Sequence, residues 1–218
     1  MIQEERKRSD ELLLNILPQD IVDELRVQGK TNAKSYQMAS VLFADIKDFT
    51  KVSESMTPDE LVSSLDSYFE AFDQIIAGSK VEKIKTIGDA YVCVGGVPIA
   101  NENNPEEVVR LGLKFQQAVF KLKEERERDG RICFDVRIGI HTGPLVAGVI
   151  GIKKFAYDIW GDTVNMAARM QQHGEAYQIN ISEDTYEIIK HKFTCSYRGK
   201  VDVQGKGPVS MYFVDKEV

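Results

Sequence analysis

The sequence predicts an α+β domain with a ferredoxin-like βαββαβ core, C-terminal additions and a preceding N-terminal helix. Apolar runs typical of strands and apolar stripes typical of helices follow one another in the order strand, helix, strand, strand, helix, strand. Pro-containing capping signals mark the start of both core helices. With 218 residues, 43% of them hydrophobic, the chain is long enough for one domain with a sizeable core.

The N-terminal segment carries a helical pattern. Its apolar stripe consists of Leu14, Leu17, Ile21 and Leu25, at spacings of three and four. Pro18 is expected to divide the segment into two helices, and Gly29 is placed to end the second one. Two alternatives stay open: the stripe packs on its own domain, or it forms a dimerising, signal-transmitting helix.

The first strand and the first core helix flank a polar segment. Residues 41–44 are apolar without interruption, as in a central strand covered on both faces, and Asp45 follows them. Thr57 and Glu60 enclose Pro58 as a capping box. The core face of the helix that follows is predicted to be Leu61, Leu65, Tyr68, Phe72 and Ile76.

Two β-type runs, residues 81–87 and 90–97, surround Gly88 and Asp89 and predict a hairpin with Asp89 at its tip. A second long helix is predicted to open at Asn104. Residues 134–140 then alternate as a strand with one buried face, which residues 141–144 are expected to break.

The C-terminal part adds shorter elements. Residues 155–160 are β-like and lead into a helix that carries Asn165 and Arg169 one turn apart on one face. Ser182 is expected to cap a further helix. Two closing β-type runs, residues 194–203 and 209–214, surround a Gly-Lys-Gly turn that contains Lys206.

Composition excludes several classes of function. The formal net charge of −6 argues against a general nucleic-acid binder, which would need Lys and Arg to neutralise phosphates. Three widely spaced cysteines indicate neither a disulfide framework nor a zinc site, which favours a reducing, cytoplasmic setting. No apolar run approaches the roughly 20 residues needed to cross a bilayer.

Asp45 and Asp89 are the candidate metal ligands. Neighbouring central strands would bring the two carboxylates together, where they would repel each other unless cations lay between them. Oxygen ligands of this kind suit Mg²⁺ or Mn²⁺. Taken singly, each residue is also consistent with a turn or capping role. Residues 46–50 could present backbone N–H groups to phosphates, although the segment is too poor in glycine for a P-loop.

Four segments resemble the motifs of class III nucleotidyl cyclases, in that family's order. They are VLFADIKDFT (41–50), KIKTIGDAY (83–91), IGIHTGPLVAGVIG (138–151) and YDIWGDTVNMAARM (157–170). The resemblance implies that Asp45 and Asp89 bind two divalent cations, Mg²⁺ or Mn²⁺, and that the ribose 3′-hydroxyl attacks the α-phosphorus in line. It implies that Asn165 and Arg169 are catalytic, orienting the ribose and stabilising charge on the phosphoryl group.

The resemblance also implies a substrate. Lys85 and Asp158 lie at the positions that read the base, where a donor and an acceptor match adenine N1 and its 6-amino group. Related guanylate cyclases typically carry Glu and Cys there. ATP is therefore the expected substrate, with cyclic AMP and pyrophosphate as products. Ile46, Phe49, Thr50 and Lys206 are the further substrate-binding residues that the resemblance predicts.

In this family each active site is shared between two chains, so the resemblance implies a homodimer that binds ATP. We expect a catalytic domain at residues 36–218, preceded at 1–35 by signalling or dimerisation helices like the transducer helix of larger receptors. An upstream sensor domain is expected to be fused to this segment or to regulate it. The expected location is cytoplasmic, either free or as the cytoplasmic part of a membrane-anchored receptor.

Two positions depart from the family pattern. Gln204 stands where many relatives have a Lys that contacts the phosphates, and Lys206 lies nearby on the same side of a strand. Pro144 stands where some heterodimeric relatives have a triphosphate-binding Arg. Two alternative functions stay open: a guanylate or mixed-specificity cyclase, and a catalytically silent nucleotide-binding or dimerisation module. All four of the family's metal-binding and catalytic residues are present, which argues against the second.

Overall fold

The computed structural model describes residues 13–151 and 155–218. The described helices are α1 (Gln19–Gln28), α2 (Phe49–Ser53), α3 (Pro58–Ile76), α4 (Asn104–Arg128), α5 (Asp162–Gln172) and α6 (Glu183–Ile189). The described strands are β1 (Lys34–Ile46), β2 (Val81–Ile87), β3 (Ala90–Gly95), β4 (Val136–Ile150), β5 (Ala156–Trp160), β6 (Ile179–Ser182), β7 (Phe193–Val203) and β8 (Gly207–Glu217).

One sheet contains all of these strands, in the order β2-β3-β1-β4-β6-β8-β7, with β5 paired to β4. The first four neighbours, β2, β3, β1 and β4, pair antiparallel. Together with α3 and α4 they form the βαββαβ core, so the predicted ferredoxin-like α+β fold is confirmed. β6 joins β4 in parallel and β8 and β7 follow it, which makes the C-terminal additions an extension of the sheet.

Strand β1 divides the core into two layers because its side chains alternate between the faces of the sheet. Leu42 and Ala44 lie on the face covered by α3 and α4. Val41 and Phe43 lie on the opposite face, which α1 and α5 cover. All four are buried, and full burial of a large apolar side chain is worth about 1.5–3 kcal/mol. The continuous apolar run predicted this two-sided cover.

The helix ends follow the predicted signals. Thr57 and Glu60 form a capping box at the start of α3, with Pro58 in the first turn. Gly29 ends α1 in the left-handed conformation, at φ +69°. Ser182 accepts a hydrogen bond from the amide of Thr185 and so caps α6.

Helix α1 packs on its own domain. Pro18 precedes it, as predicted, and Leu17, Ile21 and Val22 are buried against the sheet. Leu14, by contrast, is 40% exposed. The start of the N-terminal segment, before residue 13, lies outside the described residues. No helix in the described parts of the chain is long and apolar enough to cross a membrane.

The predicted break at residues 141–144 is wrong, because β4 runs without interruption to Ile150. Its partner β1 starts at Lys34, several residues before the apolar run of residues 41–44, and continues the pairing. Gln37 and Met38 both lie opposite Pro144, where the register shifts. Proline has no N–H to donate, and this bulge leaves the sheet intact around it.

Other strand limits differ by a few residues. β3 ends at Gly95 rather than at residue 97, β4 begins at Val136 rather than at 134, and β8 extends to Glu217.

Candidate active site

Asp45 and Asp89 meet where β1 ends beside the β2–β3 turn. Asp45 lies opposite Ala90 in the antiparallel pairing of β1 with β3, so the preceding residue, Asp89, reaches the same end of the sheet. The two carboxyl groups are in hydrogen-bonding contact. Neighbouring strands therefore join two acids that lie more than 40 residues apart in the sequence.

This contact changes the acidity of Asp89. Burial, followed by the negative charge of Asp45 and their shared hydrogen bond, raises the pKa of Asp89 to about 6, although the backbone amide of Ile46 opposes the shift. Above that pH two carboxylates face each other, and a cation between them would remove the repulsion.

The donor set fits Mg²⁺ or Mn²⁺. Mg²⁺ is commonly held by one or two carboxylates, with substrate phosphates and water completing its coordination. Within the described residues, no group of three or more His, Cys, Asp or Glu side chains could hold a metal without such help. A site of this kind would therefore bind metal together with a phosphorylated substrate.

Two residues that the sequence did not single out hold Asp45 in place. Gln171 of α5 donates its amide N–H to Asp45 Oδ2 at 2.7 Å, and Arg137 Nη2 donates to the same oxygen at 3.1 Å. Arg137 lies opposite Asp45 in the β1–β4 register. The alternation of apolar and polar residues in β4 was enough to place Arg137 on the opposite face of the strand from Ile138 and Ile140. No sequence signal pointed to Gln171.

Gly139 allows α5 to approach the sheet closely enough for this contact. A Cβ atom at Gly139 would lie 2.0 Å from the backbone nitrogen of Gln171. Any other residue would collide with the helix backbone, so this glycine sets the distance between α5 and β4.

Lys85 and Asp158 form an ion pair between β2 and β5, with Nζ 2.5 Å from Oδ2. Asp158 also accepts a hydrogen bond from the amide of Ile159 at 2.9 Å. The register of β2 against β3 shifts between Lys83 and Lys85, which makes Ile84 an extra residue. Because of this bulge Lys85 reaches β5, while Lys83 pairs with Asp73 of α3 on the other face.

Asn165 and Arg169 lie one turn apart on α5, as predicted. Asn165 is exposed, and Arg169 Nη1 donates to Gln172 Oε1 at 2.8 Å. At 3.6 residues per turn, both positions lie roughly 120° to 160° around the helix from Gln171. Since Gln171 contacts Asp45, Asn165 and Arg169 point away from the carboxylates of their own chain.

Lys206 lies beside the start of α5. Its Nζ is 2.6 Å from Oδ2 of Asp162, one helical turn before Asn165. The segment with Ile46, Phe49 and Thr50 turns at Asp48, which adopts φ +55°, and continues as α2. It thus starts directly after Asp45.

Comparison with known proteins identifies the family. The family described as the adenylate and guanylate cyclase catalytic domain matches residues 31–216. An adenylate cyclase of Mycobacterium tuberculosis is 37% identical over 98% of this chain and 48% of its own length. Guanylate cyclase 32E of Drosophila melanogaster is 35% identical over 99% of this chain and 19% of its own length.

A solved structure of a cyclase has the same fold as this chain. The adenylyl cyclase CyaB from P. aeruginosa superposes with a TM-score of 0.80 at 27% identity, covering 85% of this chain and 97% of its own. The chain therefore belongs to the class III adenylate and guanylate cyclase catalytic domain family, whose members are nucleotidyl cyclases. It spans about half the length of the mycobacterial relative.

Proposed function

We propose that the chain is an adenylate cyclase that converts ATP into 3′,5′-cyclic AMP and pyrophosphate. The observation that carries the choice of ATP is the Lys85–Asp158 pair, since it joins one donor and one acceptor at 2.5 Å. Adenine offers the complementary acceptor and donor. Guanine offers the opposite pattern, so both contacts would be mismatched.

Asp45 and Asp89 would hold the two divalent cations. When bound, such cations lower the pKa of a coordinated hydroxyl and neutralise charge on the phosphates. The chain's own part is to keep Asp45 oriented through Gln171 and Arg137, and to present Asp89 at the tip of a hairpin.

Asn165 and Arg169 would act on the reacting groups. An amide can orient the ribose by hydrogen bonding, and a permanently charged guanidinium can stabilise the charge that develops on the α-phosphoryl group. Lys206, in the turn between β7 and β8, lies beside the start of the same helix and would contact the outgoing phosphates. Backbone amides of Ile46, Phe49 and Thr50 would contact the phosphates from the side of the carboxylates.

The site requires two chains in this proposal. In a single chain, Asn165 and Arg169 point away from Asp45 because Gln171, on another side of α5, occupies the contact with it. A symmetric homodimer would bring the helix of one chain to the carboxylates of its partner, and its two-fold symmetry would form two equal sites.

The N-terminal helix would transmit a signal. We propose that residues 1–35 form a signalling segment and residues 36–218 the catalytic domain, with a sensor domain supplied by a longer protein or by a partner. Ile21 and Val22 of α1 are buried on the same face of the sheet that α5 covers. Movement of α1 could thus reach the helix that carries Asn165 and Arg169.

A guanylate or mixed-specificity cyclase is the second candidate, since guanylate cyclases are also similar to this chain. One assay separates the two: purified chain with ATP or GTP and Mg²⁺ or Mn²⁺, across protein concentration, with the products identified. We expect cyclic AMP from ATP and a specific activity that rises with concentration as dimers form. Cyclic GMP as the main product would overturn the adenylate proposal, and no product from either nucleotide would overturn both.

A further inference from the structure

Arg126, near the end of α4, is a buried cation with only neutral partners. It is 5% exposed. Nε donates to the carbonyl of Ile132 at 2.7 Å, Nη1 to Ser67 Oγ at 3.3 Å and Nη2 to Ser64 Oγ at 2.5 Å. Its guanidinium carbon lies 5.9 Å from the ring centroid of Tyr68. Across residues 13–151 and 155–218, no carboxylate oxygen lies within 4.0 Å of it.

This arrangement leaves part of the guanidinium unused. A guanidinium is charged at every physiological pH and carries five N–H donors, of which the three hydrogen bonds use three. Neutral acceptors and an aromatic face offset only part of the cost of removing a charge from water. The group therefore has both the charge and the spare donors to accept an anion.

A cavity of about 390 Å³ lies beside Arg126, between the start of α3 and the end of α4. This is more than ten times the roughly 30 Å³ that one water molecule occupies in the liquid. The cavity is lined by Met56, Glu60, Ser63, Ser64 and Arg131, among others.

Of the other charged groups that line the cavity, Arg131 has an ion-pair partner and Glu60 is hydrogen-bonded to neutral groups. Arg131 forms an ion pair with Asp129 at 2.5 Å. The carboxylate of Glu60 accepts hydrogen bonds from the amide and the hydroxyl of Thr57, at 2.9 and 2.8 Å. Arg126 therefore supplies the positive charge that lacks a counter-ion among the described groups that line the cavity.

We propose that this cavity is a binding site for a small oxyanion of the phosphate class, held by Arg126 and the hydroxyl of Ser64. Planar guanidinium groups suit tetrahedral oxyanions because they donate paired N–H bonds. The site is separate from the proposed active site, since Tyr68 and the other residues of α3 and α4 cover the face of the sheet opposite α5. It does not depend on the proposed reaction.

The experiment measures binding of inorganic phosphate to the metal-free, nucleotide-free chain, by calorimetry and by thermal unfolding, against chloride at equal ionic strength. An Arg169→Ala, Lys206→Ala background removes phosphate contacts of the proposed active site. We expect saturable binding and a saturable rise in Tm. A parallel titration with AMP shows which kind of phosphate the site binds. If AMP binds as tightly as inorganic phosphate, the ligand is the phosphate group of a nucleotide. If AMP binds more weakly, the ligand is the free anion.

Ser63→Glu, at an exposed position on the cavity wall, supplies an internal carboxylate for Arg126 without disturbing the core. We expect it to raise Tm without phosphate and to weaken phosphate binding at least tenfold. Val62→Glu adds the same charge at a neighbouring position that is 66% exposed and should leave binding unchanged. Absence of saturable binding to the parent chain, or equal binding to the two Glu variants, would overturn the site.

Discussion

Lys85 and Asp158 face each other at 2.5 Å because Ile84 is an extra residue in β2. In a regular strand, Lys85 would share the face of Lys83, which pairs with Asp73 of α3. The bulge thus assembles the pair to which we assign base selection.

Exchange of this pair is expected to change the preferred nucleotide. Lys85→Glu combined with Asp158→Cys replaces a donor and an acceptor by the groups typical of related guanylate cyclases. Each mismatched buried polar contact costs about 1–3 kcal/mol, so the ratio of kcat/KM for ATP and GTP should shift by roughly 10²–10⁴-fold toward GTP. Steady-state kinetics with both nucleotides measures this ratio. Lys83→Glu is the matched control, and an equal shift in that variant would contradict the assignment.

A shared active site predicts complementation. Asp45→Ala and Arg169→Ala chains should each be inactive alone, because each damages one half of both sites in a homodimer. In an equal mixture with random pairing, half of the dimers would have one intact site of two, so activity should recover to about a quarter of that of the parent chain. Activity is measured in the mixture, and co-purification through two different tags verifies that mixed dimers form. Verified mixed dimers without activity would contradict the shared site.

The acidity of Asp89 predicts a pH-dependent stability. Its pKa is raised from 3.8 to about 6 in the folded chain, so its contribution to stability is full below 3.8 and is lost as pH rises through about 6. In the metal-free chain, Asp89→Asn should therefore raise Tm relative to the parent at pH 8. At pH 4.5, where folded Asp89 is mostly protonated but the unfolded chain is still mostly ionised at this residue, the difference in Tm should fall to roughly a third of its value at pH 8.

Thermal unfolding in the presence of EDTA measures this difference. Mg²⁺ at pH 8 should raise Tm of the parent chain more than that of Asp89→Asn, since cation binding relieves the same repulsion. A Tm difference between variant and parent that is the same at both pH values would contradict the charge repulsion.

The loop at residues 203–207 is expected to bind the triphosphate of ATP through Lys206. Lys206→Ala should raise KM for ATP by about 10–100-fold, because a hydrogen bond to a charged group is worth about 1.5–3 kcal/mol. Gln204→Lys should lower KM by restoring the cation that many relatives carry. Lys200→Ala, at an exposed position on β7, is the control. Equal KM values for Lys206→Ala and Lys200→Ala would exclude Lys206 from phosphate binding.

Local patterns allowed the elements to be predicted. The capping box at Thr57, the turn at Gly88 and the apolar run of residues 41–44 each act through neighbours in the chain, so their structural meaning can be read from a short segment. The predicted break at residues 141–144 failed because pairing with β1 continues past Pro144, and that partner is about 100 residues away.

By itself, the sequence determined the α+β fold, the cyclase family and the candidate residues, since spacing and motif order carry that information. Only the tertiary structure decided how the candidates meet. Gln171 reaches Asp45 because Gly139 admits α5 against the sheet. Lys85 reaches Asp158 because one inserted residue, Ile84, turns its side chain to the other face. Both contacts depend on backbone register and on the distance between elements, which no single segment of sequence specifies.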